Sequence, residues 1–283
     1  MKTNKTLLII LTLILSSWIS SVAGHPGSED QDNKNKKDDD KKFFIRGSVG
    51  AQGMITLIFP ADLRNYTQDF YDNLLDEFED YGYFPDMMRI PPVYAGYGYK
   101  LKAGLRLFNV FQIEPWWEKY KSFPLTIRMD TYYYDYYNDY SREIDVDYKF
   151  KPMYEALGVS LLFVPGSARK SAFFTVGGGI GSYIGKLSIE SEGEETINDY
   201  TTIISSSKQY EGKAIGYHGT IGMTYVPWKY LELETLLTGR YVNIPELNDQ
   251  NGQPLINVYS DFEPVALQLT GLDFRFGIKF IFP

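Results

Sequence analysis

Charged residues in this chain recur at every second position in four separate stretches. Lys100, Lys102 and Arg106 form one set, and Arg128 and Asp130 a second. Glu232, Glu234 and Arg240 form a third, and Asp273, Arg275 and Lys279 a fourth; Arg46 and His218 sit in comparable surroundings. A period of two puts each set on one face of a β-strand. Carboxylates and cations on an enclosed face can neutralise one another as an ion-pair lattice, line a polar conduit or binding pocket, or act as general acids and bases. An isolated buried charge is very costly. Asp130, Glu232, Glu234 and Asp273 are therefore expected first as counter-ions to the lysines and arginines.

Covalent chemistry finds less support. A hydrolase would set His218 beside a serine and orient it with an acid. Ser160, Ser182 and Ser188 are available, but no motif joins them to His218. Glu232 and Glu234 share a face and could hold a water, as a protease would need, yet pairing with Arg and Lys explains them more simply. No catalytic residue is assigned. With two histidines, no cysteine and no clustered ligands, neither a metal site nor a cofactor is expected. A net charge of -8 excludes nucleic acid as a partner, because phosphate binding needs a basic footprint.

The elements that carry these residues read as β-strands with an apolar second face. Leu272, Phe274, Phe276, Ile278, Phe280 and Phe282 alternate with Asp273, Arg275, Gly277 and Lys279. The same alternation runs through Tyr97–Leu107, Leu125–Tyr133, Ile215–Tyr225 and Tyr230–Tyr241. Less regular strands are expected near Phe44–Phe59, Phe150–Val164 and Ser171–Ile189, the last with an apparent change of phase near Lys186. That makes eight strands, most of them long enough to cross a bilayer at a tilt, which takes about 9–11 residues. Pro165–Lys170 and Pro227–Lys229 are short connections, whereas Ala61–Pro92, Glu190–Gly212 and Glu246–Glu263 are long and polar. Short turns on one side and long loops on the other are the pattern of a membrane barrel. Asn109–Ser122 would then be a turn on the short side, with Pro115-Trp116-Trp117 as one helical turn. Trp116, Trp117, Trp228 and Tyr230 are expected as aromatics at the membrane interface. In the first long loop, Phe70, Leu74, Leu75 and Phe78 recur at helical spacing over Tyr66–Tyr81, with the apolar stripe expected to pack on the barrel mouth.

The N-terminus supplies an export signal. Lys2 and Lys5 precede an apolar run from Leu7 to Leu15, and Ser21-Val22-Ala23 is a small-residue cleavage site. The expected organisation is a signal peptide at 1–24, a charged disordered linker at 25–42, and a barrel at 43–283.

The strand Leu272–Phe282, with its alternating apolar residues and aromatic end, resembles the closing strand of bacterial outer-membrane barrels of the OmpA and OmpW type. The resemblance implies that Phe274, Phe276, Ile278, Phe280 and Phe282 are read by the barrel-assembly machinery. It implies an all-β, eight-stranded antiparallel up-and-down transmembrane barrel in the cell outer membrane, monomeric and surrounded by lipid. Two roles follow as expectations: a structural or surface-interaction barrel with an ion-paired lumen, or an OmpW-like channel or binder for small or hydrophobic solutes. A lipid-modifying enzyme is a distant third. An eight-stranded barrel is only just wide enough for its own side chains, which favours the lattice.

Overall fold

The computed structural model describes residues 45–79, 93–108, 110–135, 140–165, 171–259 and 262–282. The expected signal peptide, the linker, the first barrel residues Phe43 and Phe44 and the turn at 166–170 lie outside the described residues. Strands β1 (Ile45–Ile58), β2 (Tyr94–Leu107), β3 (Phe111–Ser122), β5 (Tyr140–Phe163), β6 (Ala172–Ile197), β7 (Tyr200–Trp228), β8 (Leu231–Tyr241) and β11 (Gly271–Phe282) pair antiparallel with their neighbours. The last strand returns to the first, with Gly47 opposite Phe282 and Ile58 opposite Gly271. The pairing of β3 with β5 completes a ring of eight. Strand β4 (Leu125–Asp135) continues β3 beyond Pro124 and pairs with the first half of β5. Two short strands, β9 (Asn243–Ile244) and β10 (Leu267–Gln268), pair with each other at the same end of the ring.

One connection differs from its sequence reading. Residues 109–122 are not a turn with a helical segment; from Phe111 onward they are wall strand β3. Proline lacks the N–H that a ladder needs, and pairing with β2 lapses between Lys102–Trp116 and Leu105–Ile113, around Pro115. The other edge of β3 keeps its register with β5 straight through Pro115–Val159. One side of the ladder thus tolerates the proline. β2 ends at Leu107 and β3 begins at Phe111, so the connection between them is short.

Along β5 and β6 the face pointing outward keeps its phase but changes its chemistry. Leu157, Val159, Leu161 and Phe163 point outward on β5, and so do Asp145, Asp147, Lys149 and Lys151 nearer its start. On β6, Phe174, Val176, Ile180 and Ile184 are followed on the same face by Lys186, Ser188 and Glu190. The apparent phase change near Lys186 is therefore a change of surroundings. The transition falls on one row of paired residues, Lys119–Glu155–Ile184–Lys213. Below that row the outer wall is an apolar band, and above it β4, β5, β6 and β7 continue as a four-stranded sheet.

Helix α1 (Ala61–Glu79) packs on the inner face of that sheet. Leu63, Tyr66, Phe70 and Tyr71 meet Phe150, Tyr148, Leu125 and Ile127. Thr67 turns its hydroxyl back onto the Leu63 carbonyl at 2.9 Å, so its polar atom is satisfied inside the apolar contact. The helix begins five residues before the expected Tyr66, directly after Pro60, whose carbonyl accepts from the Arg64 N–H.

Candidate functional site

The ring's interior is filled by charge. Lys100, Lys102, Arg106, Arg240, Arg275 and Lys279 face Glu114, Glu118, Glu232, Glu234 and Asp273, all buried. Strand alternation places each one: β2 supplies the first three cations, β3 two carboxylates, and β8 and β11 the rest. The short-turn half of the lattice is a chain. Arg106 grips Glu232 with two parallel bonds of 2.7 and 2.9 Å, the fork geometry that makes Arg–carboxylate pairs strong. Lys279 lies 2.7 Å from both Glu232 and Glu234. Glu234 lies 2.6 Å from Lys102, which is 3.1 Å from Glu114. Gln52 donates to Glu234 at 2.9 Å and Gln112 to Glu114 at 2.8 Å.

The other half centres on Asp273. Arg275 meets it at 2.6 Å and Arg240 at 3.1 Å, while Thr56 donates to its second oxygen at 2.8 Å. Glu118 adds a charge contact with Arg275 at 3.1 Å that lacks hydrogen-bond alignment. Arg240 also bonds the Tyr154 hydroxyl and the Leu269 carbonyl, and its guanidinium lies 4.5 Å from the Tyr154 ring centre. Lys100 is the cation in excess. Its nearest carboxylate, Glu114, is 3.9 Å away, and its ammonium sits 4.7 Å from the Trp116 ring, a cation–π contact.

Both ends of this layer are covered. At the short-turn end Leu162, Val164 and Phe173 form an apolar cluster, with Arg106 over the Phe173 ring. At the other end Tyr120 stacks on Tyr154 at 5.1 Å and Tyr183 packs against Tyr154 at 5.6 Å. Beyond them Ile58, Leu187, Val242, Ile244, Leu267 and α1 complete the core.

Several sequence assignments change. Arg128 and Asp130 are not in the lumen. Both are exposed on β4, where Arg128 pairs with Asp145 at 3.0 Å, and it is Leu125, Ile127 and Met129 that face inward. Above the apolar band the outside is the polar side, so the same alternation carries the opposite assignment. Trp116 is not an interfacial aromatic. It is 3% exposed, faces inward and meets His218 edge-on at 5.4 Å. Trp117 points outward at the edge of the band and donates to Glu155 at 2.7 Å. Trp228 and Tyr230 are exposed at the short-turn end. Arg46 is partly buried near the start of β1. Phe276, Ile278, Phe280 and Phe282 are exposed on the outer face of β11, and Phe274 is half-buried there. Glu114, Glu118, Gln52, Gln112 and Thr56 were not among the expected lumen residues.

His218 does meet Ser160: its Nε2 and the serine Oγ are 2.9 Å apart. This is two-thirds of a nucleophilic triad. Among the described residues no carboxylate hydrogen-bonds His218. Ser160 is 2% and His218 8% exposed, under Trp116 and against the backbone of Gly179. The hydroxyl and the ring nitrogen satisfy each other in the interior.

The four-stranded sheet carries a second, looser set of ion pairs. Lys149 meets Glu192 at 2.6 Å, Arg142 meets Glu195 at 2.8 Å, and Lys151 bonds Glu190. The Lys151 hydrogen bond holds the Glu190 carboxyl below the usual carboxylate range. That contact is complete at neutral pH and is lost as the pH falls through the lowered value.

No protein-family model matches the chain, and no curated protein does. Several solved structures share part of the strand plan. One is Ail, the attachment invasion locus protein of Yersinia pestis, in complex with a heparin analogue. It is 9% identical with a TM-score of 0.38, over 84% of this chain and 98% of that one. A major outer membrane protein of Thermus thermophilus is 12% identical with a TM-score of 0.41, over 84% of this chain and 100% of that one. OprG of Pseudomonas aeruginosa is 12% identical with a TM-score of 0.37, over 83% of this chain and 96% of that one.

Proposed function

We propose that this chain is an integral outer-membrane β-barrel with a closed lumen, whose role is structural or one of surface interaction. The apolar outer wall supports the location. A belt of exposed Leu, Ile, Val, Phe and Tyr runs around all eight strands, far more contiguous apolar surface than a soluble monomer carries. On β6 the belt extends from Phe174 to Ile184, about the 9–11 residues that a tilted strand needs to cross a bilayer. Exposed Trp228 and Tyr230 at one rim and Trp117 at the other suit the two interfaces. On this reading the outward face of β11 is what the assembly machinery engages.

The interlocked lumen is the observation that carries the role. A conduit needs continuous free volume, and here ion pairs cross the interior from β2 to β8 and from β3 to β11. The polar surface that remains for function is the sheet of β4–β7, with α1 and residues 245–259 beside it. The purified protein should float with phosphatidylcholine vesicles and give no steady conductance in a planar bilayer. Recovery in the unbound fraction would overturn the membrane location, and steady wild-type currents would overturn the closed lumen in favour of the solute channel.

Orientation follows from the position of the long elements. The chain has no cysteine, so single substitutions report cleanly. A cysteine at Arg128, Asn73, Ser206 or Asn251 should react with an impermeant maleimide on whole cells. One at Ile127, one residue from Arg128 but under α1, should not. Equal labelling at 127 and 128 would contradict the inward turn of the apolar face.

A further inference from the structure

The four-stranded sheet has an edge that the rest of the described chain leaves open. At Glu211 the β7 backbone exchanges two hydrogen bonds with Asn248, at 2.8 and 2.9 Å. An antiparallel strand sends the N–H and C=O of every second residue to the same side, and the β6–β7 register runs without a break from Tyr225 to Tyr200. Gln209, Ser207, Ser205, Ile203 and Thr201 therefore send theirs to the side on which Asn248 pairs with Glu211. Among the described residues no backbone group meets them there. Every residue from Tyr200 to Gln209 is exposed apart from the half-buried Ile204, and Ile203 is 76% exposed. Folded proteins blunt such edges with charge, proline or a bulge. The other edge of this sheet, β4, carries Arg128 and Asp130. From Tyr200 to Ser207 the β7 edge has no charge, no proline and no bulge.

We propose that this edge binds an extended, basic segment of a partner protein by strand addition. The inference deepens the surface-interaction role proposed above and rests on it. A row of N–H and C=O groups is complemented by another extended backbone, which makes the occupant a polypeptide. Charge selects its side chains. On the outer face Ile203, Ser205 and Ser207 lie beside Glu194, Glu192 and Glu190 of β6. Behind Glu194, in the same row, come Asp145 and then Asp130. Arg128, Lys149 and Lys151 engage Asp145, Glu192 and Glu190, while Glu194, Asp147 and Asp130 have no ion-pair partner among the described residues. An added strand lies two strand spacings from β6, about 10 Å. Ser205 and Ser207 are short, so a lysine or arginine of the added strand can extend across them toward the β6 carboxylates. On the inner face Ile204 offers an apolar contact. A second copy of this sheet would bring its own acids to the seam, and like charges on facing strands are destabilising.

The test is fluorescence anisotropy of a labelled short peptide of alternating lysine and valine, added to the whole protein in nanodiscs of uncharged phosphatidylcholine. Wild type should bind it and should not bind the same peptide with glutamate in place of lysine. Ser205→Pro removes an N–H that faces the open edge and not β6, a position where a strand tolerates proline. It should weaken binding about tenfold, the effect of one lost backbone hydrogen bond at the upper end of its range. Glu194→Lys should weaken it as well. Amide exchange at Thr201, Ile203, Ser205, Ser207 and Gln209 should slow when the lysine peptide is bound. If Ser205→Pro does not fold, a lysine–valine peptide N-methylated at alternate residues carries the same comparison on wild type and should not bind. No binding by wild type overturns the proposal, as does equal binding of the glutamate peptide. Binding that neither Ser205→Pro nor N-methylation weakens shows adhesion by charge alone and also overturns it. So does self-association of wild type that Ser205→Pro abolishes, which would make the occupant a second copy. These outcomes are read on protein already in the bilayer, so they leave the barrel standing; failure of wild type to enter nanodiscs would instead overturn the membrane location, and this inference with it.

Discussion

Glu234→Gln should destabilise the folded barrel by about 3–5 kcal/mol, the usual cost of leaving a buried charge without its partner. Glu234 is the joint of the short-turn half of the lattice, 2.6 Å from Lys102 and 2.7 Å from Lys279. Its removal leaves those ammoniums to Glu114 and Glu232, which already serve Lys100 and Arg106. Gln52 also loses the charged acceptor of its 2.9 Å bond. Equilibrium urea unfolding from vesicles measures the loss directly. Adding Lys102→Met removes one stranded cation, so the double variant should be less destabilised than the sum of the two single ones, with coupling of about 0.5–3 kcal/mol. Glu192→Gln is the comparison: its partner Lys149 sits on the exposed sheet, where an ion pair is worth about 0–1 kcal/mol. Equal losses at 234 and 192 would show that the lumen is hydrated enough to make its charges independent.

The fold was legible where the two faces of a strand meet two different media. β11, β8 and β2 carry apolar and charged residues in strict alternation, and their faces, their pairing and their lumen charges could all be read. Legibility failed where the medium changes along the strand. Alternation reports which residues share a face and not which face is inside. On β4, above the band, assigning the apolar face to the outside inverted every residue. Strand β3 was hidden by Pro115 and two tryptophans, although Glu114, Trp116, Glu118 and Tyr120 alternate with Pro115, Trp117 and Lys119. Charge balance could have exposed it. The expected lumen held eight lysines and arginines against four carboxylates, an imbalance that burial does not tolerate. Glu114 and Glu118 are the acids that were missing. Trp116–His218 and Ser160–His218 were not legible, because they join β3, β5 and β7 across the ring and no local pattern marks them.

Leu161→Arg separates a membrane wall from a soluble surface, because the two predict different costs for the same change. Leu161 is 57% exposed on the outer face of β5, between the charged boundary at Glu155 and the turn that begins at Pro165. On a water-facing surface the substitution would remove an exposed apolar side chain and change stability by less than about 0.5 kcal/mol. In a bilayer it puts a guanidinium near the midplane, where barrels lose about 2–4 kcal/mol for Arg or Lys. The arginine cannot recover that loss by turning inward, because the face opposite Leu161 belongs to Ser160 and Leu162, both buried against the lumen. Asp145→Arg, on the same strand and in the same outward phase but above the band, breaks the exposed pair with Arg128 and should cost only about 0–1 kcal/mol in unfolding from vesicles. The gradient between positions 145 and 161 is therefore the expected result. A loss at 161 no larger than at 145 would mean that the apolar belt does not face lipid, and it would leave the exposed leucines, phenylalanines and tyrosines of all eight strands in need of some other cover.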